Sequence, residues 1–502
     1  MSIQPIRDIV ILGGGTAGWM SAAALSKLLP PSCRIRLIES EEIGIVGVGE
    51  ATIPNIKHFN AALDIDEDEF LKATQGTFKL GIEFVNWGQL GDRYIHGFGK
   101  VGPDTSLVGF HHYWLRLKQL GKASGLDAYS INTVAPRQAR FLRYRKDMPG
   151  SPLGDIVHAF HFDASLYARW LRGLAEKRGV VRTEGKVKQV LRRAEDGFIE
   201  ALVMESGEQI NGEFFIDCSG IRALLIGDAL GVGYDDWSHW LPCDRALAVP
   251  SAPVKPLLSM TRSTAHSAGW QWRIPLQHRV GNGHVYSSRF MSDDEATSIL
   301  LANLDGEKLA DPRLIRFRTG MRRKLWERNC VAVGLSSGFL EPLESTSIHL
   351  IQTAISRIAT FFPHAGFDAA DIDEYNAQGE LEYQQVRDFL ILHYKATERT
   401  DSAFWNYTRT MSIPATLQRK IDLYRSNGRL FRDGNELFAE PSWLQVMEGQ
   451  RIHAQGYHPF AGFMPESELC EFVGGVEAVI GKCVGVMPDH AQFIAEHCAA
   501  QR

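Results

Sequence analysis

The chain has 502 residues, 44% of them hydrophobic, and its 54 Lys and Arg against 59 Asp and Glu leave a formal net charge of −5. That length allows one large core or two to three domains, and that balance offers no basic footprint for nucleic acid or an anionic membrane. The opening residues lack the apolar core of a signal peptide, and no apolar run is long enough to span a bilayer. Seven cysteines without C-x-x-C spacing fit reduced thiols, so a cytoplasmic protein without structural zinc is expected.

The first informative stretch is Ile9-Val10-Ile11-Leu12-Gly13-Gly14-Gly15-Thr16-Ala17-Gly18, followed by the alanine-rich run from Met20 to Leu25. An apolar run that ends in glycines and continues with small residues predicts a buried strand, a tight turn and a helix start. Gly13 permits the turn, Gly15 lets backbone approach a pyrophosphate, and Gly18 lets helix and strand pack closely. A second apolar strand, Ile35-Arg36-Leu37-Ile38, ends at Glu39, about 20 residues on, where a ribose-binding carboxylate is expected. In this order the elements predict a dinucleotide-binding α/β fold.

Next, the strip from Ile43 to Pro54 alternates glycines with β-branched residues and suits an extended strap against a flat ring. Thr77 to Phe84 alternates as a strand and sets Lys79 among apolar neighbours, either as a surface charge with a buried stem or as a buried donor or nucleophile. In Tyr94 to Gly99, His96 and Phe98 fall on one strand face, as packing or as walls for a flat arene. His111 and His112 are expected to point apart and to bind no metal. Asp163 is placed to cap a helix with Leu166, Ala168, Leu171 and Leu174 at helical spacing. Strands follow at 185–190 and 214–220.

The run Gly269-Trp270-Gln271-Trp272-Arg273-Ile274-Pro275 puts both indoles on one face of a strand, and Gly281-Asn282-Gly283 predicts a hairpin turn. A second strand-to-glycine turn, from Asn329 to Gly338, leads into Pro342-Leu343-Glu344-Ser345-Thr346-Ser347, whose hydroxyl residues open a helix, taken alone as a routine cap and otherwise as a first turn of exposed N–H groups for an anion. Beyond about Phe361 the periodicity is helical, as at Val386, Phe389, Leu390 and His393.

Together, Gly13-x-Gly15-x-x-Gly18, the strip Gly47 to Pro54, Lys79, the Trp270-x-Trp272-x-Ile274-Pro275 run and Pro342 to Thr346 resemble the flavin-dependent halogenases of the tryptophan-halogenase type over nearly the whole chain. The resemblance implies an FAD-binding Rossmann-like fold of the flavin monooxygenase type with an added β-sheet and a helical C-terminal region. Residues 1–365 would form the FAD-binding and substrate-sheet module, its FAD parts at about 1–100, 155–225 and 310–365, with helices over 366–502 packing over the substrate site. FAD contacts would come from Gly13, Gly15, Thr16, Ala17, Gly18, Glu39, Val48, Gly49, Ala51, Val187, Leu335 and Ile348.

By the same resemblance, reduced FAD, dioxygen and chloride or bromide yield hypohalous acid. Lys79 passes it to an electron-rich arene, by hydrogen bonding or as a haloamine. Glu344 stabilises the cationic intermediate or removes its proton, and Thr346 and Ser347 form the halide site. Ser347 stands where relatives commonly carry glycine, which leaves bromide as well as chloride open. Trp270 and Trp272 keep the arene off the flavin, and His96, Phe98 and Trp443 contact it. Pro441 to Glu448 lacks the tyrosine pair with which tryptophan-specific relatives grip the amino acid, so indole or a simple derivative is expected as substrate. With no second nucleotide motif, reduced FAD is expected from a separate flavin reductase. An aromatic hydroxylase on the same fold, and a flavin-binding protein without chemistry, are the competing readings.

Overall fold

Ile9, Val10, Ile11 and Leu12 are buried, as are all four residues of Phe214–Asp217, and these two apolar runs lie side by side as parallel strands. Strands covered on both faces need such continuous apolar sequence. The computed structural model describes residues 4–42, 49–105 and 107–501. The chain divides into two compact units: Met1–Gln75 with Phe162–His239 and Phe317–Gln384, and Gly76–His161 with Trp240–Arg316 and Gln385–Arg502.

The first unit is built on a six-stranded sheet in the order Trp326–Glu327, Cys330–Ala332, Phe214–Asp217, Asp8–Leu12, Arg34–Glu39, Val181–Glu184. All neighbours are parallel except the terminal hairpin. Helix Thr16–Leu28 leaves the first strand through the glycine turn. Helix Ala164–Lys177 starts at Asp163, whose carboxylate accepts from the N–H groups of Ser165 (3.0 Å) and Leu166 (3.2 Å), the cap that its sequence predicts. The predicted strands at 185–190 and 214–220 occur as Val187–Arg192 and Phe214–Asp217.

The second unit holds a seven-stranded sheet in the order Arg313–Arg316, Arg245–Ser251, Val280–Tyr286, Gly269–Pro275, Thr261–His266, Gly81–Val85, Arg93–Gly97. One pair, Thr261–His266 with Gly81–Val85, is parallel. The strand predicted over Thr77 to Phe84 is broken at Leu80, whose N–H donates to Ser259 and whose carbonyl accepts from Phe98. Thr77–Lys79 instead pairs with the chain around His161.

The hairpin turn predicted at Gly281-Asn282-Gly283 lies earlier, at Leu276 to Arg279, and the three residues run inside a strand. The glycine has another use. Gly283 faces Trp272 in the ladder, and a Cβ on it would lie 2.0 Å from the indole ring. From Ala369–Lys395 to His490–His497 the chain is mainly helical, as its periodicity predicts. Among the described residues no helix is long and apolar enough to cross a membrane.

Candidate functional site

In the first unit, Gly13 has φ +116°, and a side chain on it would meet the Cys218 carbonyl at 2.1 Å. A Cβ on Gly18 would lie 1.8 Å from the Gly13 carbonyl, so helix and turn touch backbone to backbone. Gly15 is the helix N-cap, and among the described residues it has no side-chain cap and a Cβ on it would meet nothing within 4 Å. Among the described residues the helix N-terminus is therefore uncovered and its N–H groups are uncapped, which suits a pyrophosphate.

Glu39 ends its strand against this turn; a side chain on Gly14 would strike its carboxylate. Trp19 Nε1 donates to Glu39 Oε2 at 3.2 Å, and Arg182 Nε donates to Oε1 at 2.5 Å. A carboxylate has lone pairs left for ribose hydroxyls after these bonds. No local pattern marks Arg182, because it stands on the strand Val181–Glu184, two places in the sheet order from the strand that ends in the glycine turn and 143 positions from Glu39. This cradle fits a dinucleotide such as FAD.

Of the other residues expected at the cofactor, Val48 lies outside the described residues. Gly49 and Ala51 form a short strand with Glu50, whose carboxyl burial pushes up to about 7. Val187 opens a strand and is half-buried, and Leu335 is exposed in a one-turn helix after Gly334. A Cβ on Gly334 would lie 2.8 Å from that of Ala17 and 3.7 Å from Ile351, so this loop meets both the first helix and the helix Ser347–Thr360 that carries Ile348.

Ahead of that helix, Pro342–Glu344 forms a 3-10 turn and Ser345 takes φ +59°, which swings the chain into the helix. Glu344 and Thr346 are buried, and Ser347 is half-buried. Thr346 Oγ1 makes no hydrogen bond among the described residues. A dry hydroxyl donor at a helix start is costly alone and fits an anion.

The second unit holds the other expected residues. Lys79 is fully buried, with Nζ 5.3 Å from the Phe98 ring centroid. Two residues earlier, Thr77 Oγ1 donates to the Pro275 carbonyl at 2.7 Å. Because that bond uses its only hydrogen, it accepts from His161 Nδ1 at 3.0 Å, and Thr261 Oγ1 donates to Nε2 at 2.9 Å. Burial, then the nearby Lys79 charge, holds His161 well below the usual imidazole range. The lysine strand is thus tied to the proline that ends the tryptophan run. Trp270 and Trp272 are both buried, their rings 6.1 Å apart, and Trp270 continues to Trp87 at 6.4 Å.

His96 lies 5.7 Å from Phe389 and 6.2 Å from Phe438, which stack on each other at 3.8 Å. Trp443 meets Phe389 edge-on at 4.9 Å and donates from Nε1 to the Phe438 carbonyl. His96 and Trp443 therefore reach one aromatic cluster, and Phe98 reaches Lys79. Phe389 is visible in the sequence only as helical periodicity, and Phe438 and Gln445 carry no local signal. His111 and His112 depart from expectation: their rings lie 4.0 Å apart at a helix start, His111 bonded to the Gly428 carbonyl and His112 to the His458 N–H. Neighbouring side chains in a first helical turn can fold together when each finds its own partner, here the backbone at Gly428 and at His458.

The chain matches the tryptophan halogenase family over residues 8–466. It is 37% identical over 449 residues, 84% of this chain and 82% of the relative, to a tryptophan 6-halogenase of Streptomyces albogriseolus. Its structure is similar to a flavin-dependent halogenase from Xanthomonas campestris, with TM-score 0.96, 49% identity and 99% of each chain covered. A flavin-dependent halogenase from Brevundimonas sp. BAL3 superposes with TM-score 0.94 at 45% identity, covering 98% of this chain and 99% of that one.

Proposed function

This chain belongs to the tryptophan halogenase family of flavin-dependent enzymes, and within it we propose a halogenase acting on indole or a simple indole derivative, with chloride or bromide as halide. FAD would be held by Gly13, Gly15, Thr16, Ala17, Gly18, Glu39, Gly49, Ala51, Val187, Leu335 and Ile348, in parts about 1–100, 155–225 and 310–365. The helical region 366–502 serves the arene. Reduced FAD, when bound, supplies two of the four electrons that reduce dioxygen, and the halide supplies the other two and leaves as hypohalous acid. A separate flavin reductase delivers the reduced cofactor, in a cytoplasmic setting.

The chain's own residues do the rest. Thr346 and Ser347 hold the halide by hydroxyl and helix N–H groups. Lys79 polarises the oxygen of hypohalous acid and holds it for transfer. Glu344 favours positive charge on the attacked arene and takes its proton, a role that a buried carboxylate performs strongly in a low dielectric. His96, Phe98 and Trp443 bind the arene, and Trp270 and Trp272 keep it off the cofactor.

The observation that carries this reading is a lysine buried on the Phe98 ring, in a strand tied through Thr77 to Pro275. Preference for indole over tryptophan is supported by the helix Glu440–Gly449. Its Glu448, which could have gripped an ammonium, accepts from Tyr424 at 2.6 Å and pairs with Lys118, and its Gln445 is spent on backbone. The test supplies reductase, FAD, halide and either indole or tryptophan. Wild type should give a halogen isotope pattern on indole, Lys79→Ala should consume reduced FAD without halogenated product, and Glu344→Gln should slow product formation with FAD binding intact. A gain of one oxygen instead of halogen would make the enzyme a hydroxylase.

A further inference from the structure

Resting on the assignment of Lys79 as the residue that holds the halogenating species, we propose that His490, on the helix His490–His497, is a positioning residue for that lysine. Lys79 stands in a three-residue strand whose strand partner among the described residues is the chain at Ala159 to His161. Its other edge would leave a buried N–H without a mate, at a cost that native folds avoid. His490 fills that place: the Phe78 N–H donates to His490 Nε2 at 3.2 Å, across 412 positions of sequence.

The imidazole can do this in one tautomer only. Its Nδ1 faces the Leu257 carbonyl at 3.2 Å, and a carbonyl only accepts, so Nδ1 carries the hydrogen and Nε2 keeps its lone pair. Burial pushes His490 down to about 4, so the ring stays neutral at ordinary pH.

The ring is also fixed from behind. The His490 N–H donates to the Ala139 carbonyl at 2.8 Å, Phe141 donates to the Pro488 carbonyl at 3.2 Å, and Arg140 donates to the Met487 carbonyl at 2.7 Å. One turn on, Phe493 meets the Phe78 ring edge-on at 5.5 Å, while Phe141 stacks on its face at 4.0 Å. The helix thus grips Phe78 by backbone and by ring. Successive side chains of a strand point to opposite faces, so fixing Phe78 fixes the direction of Lys79.

The experiment uses the full chain with FAD, reductase, bromide and indole, and compares His490→Leu, His490→Gln, Lys79→Ala and the Leu/Ala double variant. It reads haloindole formed per reduced flavin consumed and hypobromous acid escaping to a trap, with flavin affinity and thermal midpoint as controls. His490→Leu should lower haloindole per flavin about 10- to 100-fold, the effect of a small misplacement at the reacting group, with flavin affinity unchanged. His490→Gln, whose amide offers one acceptor and one donor, should restore most of it, and the double variant should be no worse than Lys79→Ala. If His490→Leu does not fold, His490→Asn, too short to span both partners, carries the same expectation. Full coupling in His490→Leu or His490→Asn, or a folded His490→Gln that restores nothing, overturns the proposal. Product from Lys79→Ala would refute instead the reading on which it rests.

Discussion

The side chain of Gln445 stands where a neighbouring strand would: it accepts from the Gly97 N–H at 3.0 Å and its Nε2 donates to the Gly97 carbonyl at 3.1 Å. Gly97 ends the edge strand of the seven-stranded sheet and separates His96 from Phe98. Gln445→Leu would keep the volume but orphan both backbone groups, each costing about 1–3 kcal/mol. We expect a denaturation midpoint lowered accordingly and a raised KM for the arene, checked by urea titration and initial rates. An unchanged KM in a destabilised variant would limit Gln445 to folding.

Thr346 predicts the reverse pattern. Its hydroxyl is buried and makes no bond among the described residues, so Thr346→Val removes an uncompensated polar atom while keeping the shape. Stability should hold or rise slightly, while the KM for halide rises about tenfold, the worth of one hydrogen bond to a charged group. Steady-state rates against bromide and chloride decide this, and an unaltered halide dependence would remove Thr346 from the halide site.

The glycines separate folding from cofactor binding. A methyl on Gly18 would press on the Gly13 carbonyl, so Gly18→Ala should lose about 1–3 kcal/mol of stability together with FAD affinity. A methyl on Gly15 meets nothing among the described residues, so Gly15→Ala should fold normally and lose FAD affinity alone. Thermal unfolding without FAD and a flavin titration separate the two. Normal FAD binding by Gly15→Ala would place the pyrophosphate elsewhere.

Acid should destabilise the fold through its buried imidazoles, against a smaller opposite contribution from Glu50, whose carboxyl, raised to about 7, takes up its proton in the folded chain first. Burial holds His112 down to about 3, and His284 and His490 to about 4. The unfolded chain, with imidazoles near 6.5, takes up these protons first, so the stability they contribute is whole above about pH 6.5 and is lost as pH falls toward 4. Each group contributes a slope of up to about 1.4 kcal/mol per pH unit in that window. Urea midpoints between pH 7.5 and pH 5 should fall, and His284→Gln should flatten the curve. A midpoint constant over that range would contradict neutral burial of these rings.

The sequence by itself determined those features whose physics is local. A strand, three glycines and a small-residue helix can meet in one way only, so the turn at Gly13 and the close contact at Gly18 were legible from their spacing. Period-two alternation likewise set Trp270 and Trp272 on one face, and Asp163 announced its helix. Tertiary structure alone decided the partners. Gly283 reads as a turn until Trp272 is laid across it, and the strand at Thr77 breaks at Leu80 because Ser259 and Phe98 take its backbone groups. Arg182 at Glu39, Gln445 at Gly97 and His490 at Phe78 join residues more than a hundred positions apart. Such pairs are satisfied only when packing buries a polar group and leaves one donor or acceptor within reach, a condition that no local pattern encodes.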